Sequence, residues 1–232
     1  MMNEYSVQTQ ALCMAYRGKA ALNQVDIAIQ PGTVVGILGA NGSGKTTLLK
    51  IAAGMLQGYT GRIAICGQTD TWKSKHNVCL LSSNPWHNPG WTIARTAQLF
   101  EGLYPGYNTA GALQQLPALG LSQGDVLGRL SRGKRALALF VLTLARDARV
   151  YLLDEPFSGI DIKTRHLMRE LLIDMMTPQR TFLIATHELV DMETLLDEVI
   201  VFAQGRVVLQ GQTDVLRAQH GKPLEQIIRE VL

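Results

Sequence analysis

Cysteine is scarce in this sequence, and its distribution argues against two kinds of covalent or metal support. The three cysteines, Cys13, Cys66 and Cys79, are odd in number, widely separated and without a CxxC pair. Disulfide-stabilised small proteins and cysteine-rich zinc sites both need cysteines paired at short spacing. We therefore expect reduced thiols in a cytosolic protein, buried as small hydrophobic side chains.

Long hydrophobic runs are also missing. The longest, such as ALALFVLTLA, have about half of the roughly 20 residues that a membrane-spanning helix needs. The first residues, MMNEYSVQTQ, lack the apolar core of a secretory signal. The sequence thus predicts a chain that does not cross a membrane itself but is free to sit against one through a partner.

A strong excess of charge of either sign is absent as well. The formal net charge is +3, and the fractions of hydrophobic residues (47%) and charged residues (18%) are those of an ordinary globular protein. The basic stretch from residue 129 to residue 149 has no interleaved aromatic side chains that would stack on bases. We expect no nucleic-acid partner.

What the sequence does contain is an alternation of strand-like and helix-like segments. VVGILG precedes KTTLLKIAAGML, VYLLDEP precedes KTRHLMRELLIDMM, and TFLIATH precedes ELVDMETLL. Short, almost continuously apolar strands separated by helices predict a parallel sheet covered on both faces. The flanking segments, VQTQALCMAY with VDIAIQPG and EVIVFAQG with RVVLQGQ, indicate antiparallel pairs.

The pattern changes between about residues 85 and 130. There TIARTAQLFEGL and AGALQQLPALGL favour helices, and no buried-strand pattern occurs. We interpret this region as an α-helical lobe inserted into an α/β core. The final segment, AQHGKPLEQIIREVL, predicts a short amphipathic tail.

The segment GANGSGKTT has the spacing of a phosphate-binding loop, and an apolar strand and a helix flank it as that loop requires. Its glycines let the backbone curl so that N–H groups point at phosphates. Lys45 brings a cation to the β- and γ-phosphates, and the Thr46 hydroxyl can ligate Mg²⁺. The loop predicts binding of a nucleoside triphosphate by Gly39, Asn41, Gly42, Ser43, Gly44, Lys45, Thr46 and Thr47.

Three more polar side chains follow apolar strands. Asp154 and Glu155 end VYLLDEP, and His187 ends TFLIATH. At the carboxyl edge of a parallel sheet, Asp154 would hold the hydration shell of Mg²⁺ and Glu155 would orient or deprotonate a water. We interpret His187 as a γ-phosphate or water contact. A helix cap or a surface turn is the structural alternative for the acidic pair, and a helix cap for the histidine.

A second candidate anion site lies in RLSRGKRALALF, where a polar, cationic loop opens directly into an apolar helix. The first N–H groups of a helix lack partners, and its dipole is positive there. Ser131 is a candidate N-cap, and Gly133 permits close approach of a ligand. A solvated basic helix start is the alternative interpretation.

Taken in order, GANGSGKT, LSRGK, YLLDEP, FSGID and ATH resemble the ATPase subunit of ATP-binding-cassette (ABC) transporters, over about residues 5–220. The resemblance implies an α/β fold, in which a P-loop NTPase core with a mainly parallel sheet carries an antiparallel β subdomain and an inserted α-helical lobe. It implies a single domain over residues 1–232, divided into core (1–84 and 131–220), helical lobe (85–130) and tail (221–232).

The same resemblance implies how the second anion site works. ABC ATPase subunits form head-to-tail dimers in which the signature loop of one subunit, here LSRGK, caps the ATP held by the other. Ser131 and Gly133 would then contact a γ-phosphate across the dimer, and Ser158, Gly159 and Asp161 of FSGID would lie beside them.

Further implications of the resemblance concern ligands and partners. It implies ATP with Mg²⁺, a second ATPase subunit, and an integral membrane permease that converts ATP hydrolysis into transport, with the chain on the cytoplasmic face of the membrane. Tyr16 matches the aromatic residue that stacks on adenine, although a core or edge-strand tyrosine is its alternative. Glu155 and His187 would be the catalytic residues.

Two departures from the family pattern bear on hydrolysis. Arg132 and Lys134 replace a glycine and a glutamine of the pattern LSGGQ. Ser83, two residues before Pro85, stands where the family has a glutamine that senses the γ-phosphate. Serine can still ligate Mg²⁺ or a water, but it is too short to reach as a glutamine does. We expect the hydrolysis rate and its coupling to be affected, and ATP binding to be kept.

The subgroup and two alternative functions follow from shorter stretches. LYPGYN and LEQIIREVL are similar to subunits that serve exporter-type permeases, including those for peptide antibiotics. NPWHNPGWTIART is a docking candidate, with Trp86 and Trp91 as anchors or else as buried core residues. A soluble non-transport ABC ATPase is disfavoured by the single phosphate loop and the short insertion. A weakly hydrolysing regulatory cassette in a heterodimer is compatible with Ser83 and Arg132.

Overall fold

The computed structural model of the chain describes residues 5–69, 71–187, 189 and 192–232. Its strands are β1 (Val7–Tyr16), β2 (Lys19–Ile29), β3 (Val34–Leu38), β4 (Thr60–Ile65), β5 (Val78–Leu81), β6 (Val150–Asp154), β7 (Thr181–Thr186), β8 (Glu198–Ala203) and β9 (Arg206–Gln212). Its helices are α1 (Lys45–Ala52), α2 (Thr71–Ser74), α3 (Ile93–Leu103), α4 (Thr109–Gln115), α5 (Arg132–Leu144), α6 (Ile162–Met175), α7 (Thr213–His220) and α8 (Leu224–Val231).

The main sheet has six strands in the order β5-β6-β7-β3-β8-β9. The first five run parallel, and β9 returns antiparallel along β8 at the edge. The predicted pairing of the last two strands is therefore confirmed, although their hairpin belongs to the main sheet because β8 also pairs with β3. The order places β3, β6 and β7 side by side, which brings together the loops that follow them.

The central strands are buried on both faces, as their continuous apolar pattern predicts. In β3, Val35 and Ile37 pack in the cluster that contains α1 and the strands of the antiparallel sheet. Val34 and Leu38 point to the opposite face and pack in the cluster that contains α5 and α6. Alternate residues of β3 thus pack in two hydrophobic clusters, one on each face of the sheet. This packing fixes the end of the strand between the two clusters.

A separate antiparallel sheet has the order β2-β1-β4. β1 and β2 are joined by a two-residue turn, in which Arg17 has φ of 49° and Gly18 has φ of 81°. Positive φ at both central residues is the geometry of a type I′ hairpin turn. The turn sets Tyr16 opposite Lys19 in the register of the pair, and it fixes both at one end of the sheet.

Residues 85–130 contain α3, α4 and two 3₁₀ turns, Pro117–Leu119 and Leu127–Arg129. Side chains cap both helices: the Thr92 hydroxyl accepts from the backbone N–H of Arg95, and Asn108 accepts from that of Gly111. This region packs on α5, where the Tyr107 hydroxyl donates to the carbonyl of Leu142 at 2.8 Å. Together with the two sheets it confirms the predicted fold class.

The helix predicted over residues 188–196 is wrong in the part of the segment that can be compared. Residues 188, 190 and 191 lie outside the described residues, and the described remainder holds a 3₁₀ turn, Glu193–Leu195, rather than an α-helix. The backbone N–H of Asp197 donates to the carbonyl of Val34, and the Thr213 hydroxyl donates to the carbonyl of Leu196. These bonds hold the chain extended at the point where it enters β8.

The predicted amphipathic tail forms two helices, and the second belongs to the core. α7 ends at Gly221, whose φ of 62° is the left-handed conformation that terminates many helices. α8 then buries Leu224, Ile227 and Ile228 in the same hydrophobic cluster as α5 and α6. The end of the chain therefore contributes apolar burial to the fold.

The cysteines follow the prediction in two cases out of three. Cys66 and Cys79 are buried, whereas Cys13 is only partly buried. Burial raises the pKa of Cys79 to about 12, so its thiol stays protonated and unreactive at neutral pH.

Candidate functional site

Four parallel strands of the main sheet end at the same edge, and each is followed or ended there by a predicted site residue. Gly39 follows β3, Ser83 lies just after β5, Asp154 ends β6, and His187 follows β7. Loops at the carboxyl edge of a parallel sheet are where ligands bind in this class of fold. The sheet order thus assembles residues that are more than a hundred positions apart in the sequence.

The phosphate-binding loop connects β3 to α1 through two glycines that no other residue could replace without movement. Gly39 has φ of 143°, and a Cβ there would lie 2.3 Å from the carbonyl oxygen of Phe202. Gly44 has φ of 115°, and a Cβ there would lie 2.5 Å from the carbonyl oxygen of Ala21. Gly44 is also the N-cap of α1 and supplies no side-chain acceptor. The first N–H groups of α1 are therefore available to an anion.

Lys45 is buried and turned toward the loop that precedes it. Its Nζ donates to the carbonyl oxygens of Gly39 at 2.6 Å and Ala40 at 3.2 Å, and it lies 3.9 Å from Oε1 of Glu155. Burial lowers the pKa of Lys45, and the carboxylates of Glu155 and Asp154 oppose that effect. A buried ammonium held over a curled loop is a site for phosphate, which would replace the carbonyl contacts and favour the charged form.

Oxygen atoms from a helix and from a strand lie close together beside the phosphate-binding loop. The hydroxyl of Thr46, in the first turn of α1, donates to both carboxylate oxygens of Asp154, at 2.9 and 3.0 Å. Asp154 is only 2% exposed. Nearby, the hydroxyl oxygen of Ser43 is buried and has no hydrogen-bond partner among the described residues. A hydroxyl, a carboxylate and an unsatisfied buried oxygen fit the hard donors that Mg²⁺ takes when it accompanies a nucleotide.

Glu155 is held at the cavity by an unusual backbone conformation. Its φ of 51° is in the left-handed region, which non-glycine residues adopt rarely and mostly where the surrounding structure enforces it. Its backbone N–H donates to the carbonyl of Ala185 at 2.8 Å, and its Oε1 lies 2.9 Å from Nδ1 of His187. The carboxylate is therefore fixed between the imidazole of His187 and the ammonium of Lys45, with its side chain 15% exposed.

Most of these residues line one cavity of about 620 Å³, although Gly39 and Asp154 are not among its lining residues. The volume is in the range of small-ligand sites. The sequence-predicted residues in its wall are Tyr16, Asn41, Gly42, Ser43, Gly44, Lys45, Thr46, Thr47, Ser83, Glu155 and His187. Tyr16 is 45% exposed, so the alternative of a buried core tyrosine is wrong.

Five residues of the cavity wall were not predicted as ligand contacts, and one of them, Ser158, was expected only at the dimer interface. Lys19, Ala20 and Ala21 reach it because the two-residue turn after Tyr16 folds β2 back beside β1. The dipeptide Arg17-Gly18 is the signal that would have found them, since glycine there favours a tight hairpin. The fourth, Arg132, was considered only as a departure from the pattern LSGGQ, yet it lies in the cavity wall.

The signature segment forms a capped helix start, of which Arg132 lines the nucleotide cavity of its own chain whereas Ser131 and Gly133 do not. The Ser131 hydroxyl accepts from the backbone N–H of Lys134 at 3.3 Å, which confirms its prediction as the N-cap of α5. Gly133 packs against Asp161 and Thr164. Asp161 caps α6, and hydrogen bonds from Thr164 hold its pKa below the ordinary value. Of the described residues that line the nucleotide cavity, none is Ser131, Gly133 or Asp161.

A phosphate loop at a helix start, an Asp–Thr oxygen pair and a carboxylate beside a histidine define a P-loop nucleoside triphosphatase. Comparison with known proteins gives the family. The family model described as ABC transporter matches residues 22–158. The chain therefore belongs to the ABC transporter family, as an ATP-binding ATPase subunit.

Relatives agree with this membership, and a solved structure shares the fold. The Nod factor export ATP-binding protein I of Burkholderia lata is 30% identical over 207 residues, which cover 85% of this chain and 68% of that protein. The manganese transport system ATP-binding protein MntA of Synechocystis is 28% identical over 229 residues, covering 92% and 86%. A structure of the ATP-binding subunit of an ABC transporter superposes with a TM-score of 0.86 at 22% identity, covering 97% and 98%.

Within the described part of the chain, every helix is too short or too polar to span a bilayer. An apolar surface is nevertheless present beside the helical region. Trp86 is 64% exposed, so the alternative that it is a buried core residue is wrong. Its ring meets that of Trp91 edge to face at 6.1 Å, and the guanidinium of Arg95 lies 4.6 Å from the centre of the Trp91 ring.

Proposed function

We propose that this chain is the motor of an ABC exporter that works as a head-to-tail dimer on a separate membrane permease. The observation that carries the dimer is the separation of two half-sites. The nucleotide cavity holds the phosphate loop, Glu155 and His187, while Ser131 and Gly133, at a second helix start, do not line that cavity. A second copy, or a similar subunit, would bring its own helix start to the open side of the nucleotide.

The residues at the sheet edge divide the work of hydrolysis among them. Lys45 and His187 would bind the γ-phosphate, and Glu155 would accept a proton from the attacking water or orient it. Thr46 and Asp154 would hold Mg²⁺, with Ser83 as a further oxygen donor. The ion supplies charge neutralisation on the phosphates when bound. The Glu155–His187 contact of 2.9 Å supports this assignment, because it orients the carboxylate before substrate binds.

Tyr16 would stack on the adenine ring. It lies at the end of β1 with one face open to the cavity, and the Lys19 side chain lines the cavity beside it. Stacking of an aromatic side chain on a base contributes about 1–3 kcal/mol in nucleic-acid complexes. Asp161 would lie at the dimer interface, where it fixes the start of α6 beside Gly133.

The permease would dock on a groove next to Trp86. A cavity of about 770 Å³ there includes Met55, Trp86 and Leu103 in its wall, which are 63%, 64% and 58% exposed. Lys50, Lys75 and Arg146 line the same groove. Exposed apolar side chains with a cationic border fit an amphipathic helix that carries acidic residues, supplied by a cytoplasmic loop of the permease. This docking would place the chain on the inner face of the cell membrane.

Leu103→Asp tests the docking groove. A carboxylate in the apolar groove must lose its hydration when the partner binds, so we expect at least a tenfold loss of the permease recovered with the chain from gently solubilised membranes. Val215→Asp, at a 44% exposed position on α7, is the matched control and should not change recovery. ATP hydrolysis by the isolated chain should be the same in both variants. Equal recovery of a polytopic membrane protein with both variants would contradict the docking site.

Export is supported by the similarity to the Nod factor export ATP-binding protein I and by the segments LYPGYN and LEQIIREVL of this chain. We infer that the chain is divided as in the family. The core is residues 1–84 and 131–220, the helical lobe is residues 85–130, and the tail is residues 221–232. Helix α8, at residues 224–231, packs in the hydrophobic cluster that contains α5 and α6.

A weakly hydrolysing regulatory subunit is a second candidate, because Ser83 leaves space where the family glutamine would reach. Ser83 lines both the nucleotide cavity and the cavity next to it. If the positioning of water and metal at this wall limits turnover, Ser83→Gln should raise kcat about threefold to tenfold. This corresponds to an activation barrier lower by roughly 1 kcal/mol. Steady-state phosphate release measures it. Asn84→Gln, the control, lengthens the neighbouring side chain and should leave kcat unchanged. Equal rates for the original chain and Ser83→Gln would contradict the hypothesis that Ser83 limits turnover.

A further inference from the structure

Arg132 stands in the wall between two cavities. The nucleotide cavity adjoins a second cavity of about 250 Å³, and the residues common to both are Ser83, Arg132, Glu155 and Ser158. Arg132 is the first residue of α5, in the signature segment, while Glu155 and Ser158 follow β6. The arginine thus joins the start of α5 to the loop that carries the candidate catalytic carboxylate.

The contact between Arg132 and that loop is specific. Nη2 of Arg132 donates to the carbonyl oxygen of Ser158 at 3.3 Å. The guanidinium also covers Gly159, whose φ is 64°, so that a Cβ there would lie 2.4 Å from Nη2 and 2.6 Å from Cζ. The planar guanidinium therefore occupies the space that a side chain at position 159 would need.

A second contact joins the same two segments a few residues further on. Gly133 lies so close to Asp161 that a Cβ at 133 would be 2.7 Å from Oδ2. Asp161 is itself fixed, because it accepts from the backbone N–H of Thr164 at 3.0 Å and from the Thr164 hydroxyl at 2.8 Å. Residues 157–161, which we call the connecting loop, are thus held at the far end by Asp161 and in the middle by Arg132.

The near end of the connecting loop leads directly to Glu155. The backbone N–H of Ser158 donates to the carbonyl of Glu155 at 3.2 Å, and that of Glu155 donates to the carbonyl of Ala185 at 2.8 Å. Because Glu155 has a left-handed backbone conformation, its side-chain direction depends on how the following residues are held. A change in the connecting loop therefore reaches the carboxylate within three residues.

We propose that Arg132 is a positioning residue for hydrolysis: its guanidinium holds the connecting loop against the start of α5 and so fixes Ser158 and the carboxylate of Glu155 at the nucleotide cavity. The inference rests on the proposed function for its effect on turnover. Its structural part, the restraint of the loop by the arginine, does not depend on nucleotide. A glycine at position 132, as in the pattern LSGGQ, has no side chain to provide this restraint.

Two measurements on Arg132→Ala test both parts. Hydrogen–deuterium exchange of the amides of residues 157–161 in the nucleotide-free chain should become about fivefold faster. The kcat for Mg-ATP should fall by about fivefold while KM changes less than about twofold, because the loop positions the reacting groups and the nucleotide contacts remain. Arg132→Lys should recover little of either, since an ammonium cannot lie flat on Gly159 and donate to Ser158 together.

Arg129→Ala is the matched control for charge. Arg129 is an exposed arginine in the turn before α5. Its variant loses the same charge, and it should change neither the exchange of the connecting loop nor kcat. Unchanged exchange in Arg132→Ala, or faster exchange with an unchanged kcat, would overturn the role of Arg132. Absence of ATP hydrolysis in the unsubstituted chain would instead contradict the proposed function, and the exchange result would still decide the loop restraint.

Gly159→Ala provides a second, independent test. The added methyl must displace the guanidinium and also strains a backbone at φ of 64°. In the Arg132→Ala background only the strain remains, so the effect of Gly159→Ala on loop exchange should be smaller there than in the original chain. Gly106→Ala, at φ of 73° with no atom within 4 Å of the added Cβ, gives the strain by itself. Additive effects of the two substitutions would show that the arginine and the glycine do not act together.

Discussion

Glu155→Gln should lower ATP turnover about 100-fold or more and should trap a dimer of this chain in the presence of Mg-ATP. Glutamine has nearly the shape of glutamate and can keep the hydrogen bond to His187, but it cannot accept a proton from water. It also removes a negative charge that lies 3.9 Å from Nζ of Lys45, where the γ-phosphate would bind. Bound ATP should therefore persist and should keep two copies joined, if both contact the nucleotide as proposed.

Gel filtration with light scattering measures the dimer, and phosphate release measures the turnover. Glu170→Gln, which neutralises an exposed carboxylate on α6, is the matched control and should hydrolyse ATP as the original chain does. Removal of Mg²⁺ with a chelator should return Glu155→Gln to the monomer if the ion is needed to hold the phosphates. A Glu155→Gln chain that stays monomeric at saturating Mg-ATP would count heavily against the dimer.

Much of the sheet could be predicted from the sequence, because buried parallel strands are nearly all apolar and each ends in a chemically distinctive residue. The runs before Gly39, Asp154 and His187 are continuous β3, β6 and β7, and all three are buried throughout. The carboxyl ends of parallel strands lie at one edge of the sheet. Predicting that the strands are parallel was therefore enough to place those residues at the same edge. The antiparallel sheet was harder to place in detail, because its register shifts at bulges.

Local geometry at the site was beyond the reach of the sequence. Nothing in YLLDEP indicates that Glu155 has φ of 51°, because the strain is sustained by its hydrogen bond to Ala185, thirty residues further along the chain. The position of Arg132 over Gly159 depends on how α5 meets α6, which periodicity does not encode. In its described part, the segment after His187 was wrongly predicted as helix, because its apolar spacing was compatible with one and the sequence does not reveal its tertiary hydrogen bonds.

The strongest test of two incomplete half-sites is a pair of variants that fail separately and work together. Ser131→Glu puts a carboxylate at the start of α5, where it would face the γ-phosphate of the partner's nucleotide. Repulsion between this carboxylate and the γ-phosphate should lower kcat about 100-fold, which corresponds to a rise of about 2.7 kcal/mol in the activation barrier. The Ser131→Glu chain by itself should still bind ATP normally. Lys45→Ala removes the ammonium that would bind the phosphates of ATP, and this variant should be as inactive as Ser131→Glu.

Mixed in equal amounts, Ser131→Glu and Lys45→Ala should hydrolyse ATP roughly tenfold faster than either alone. In the mixed dimer, the intact phosphate loop of the Ser131→Glu chain meets the intact helix start of the Lys45→Ala chain, and one complete site results. Ser131→Ala controls for the lost cap, which costs about 1 kcal/mol of stability, and Gln114→Glu controls for a new charge on the helical region. If each chain carried a whole site, every copy in the mixture would have one defect, and the mixture would stay as inactive as its parts.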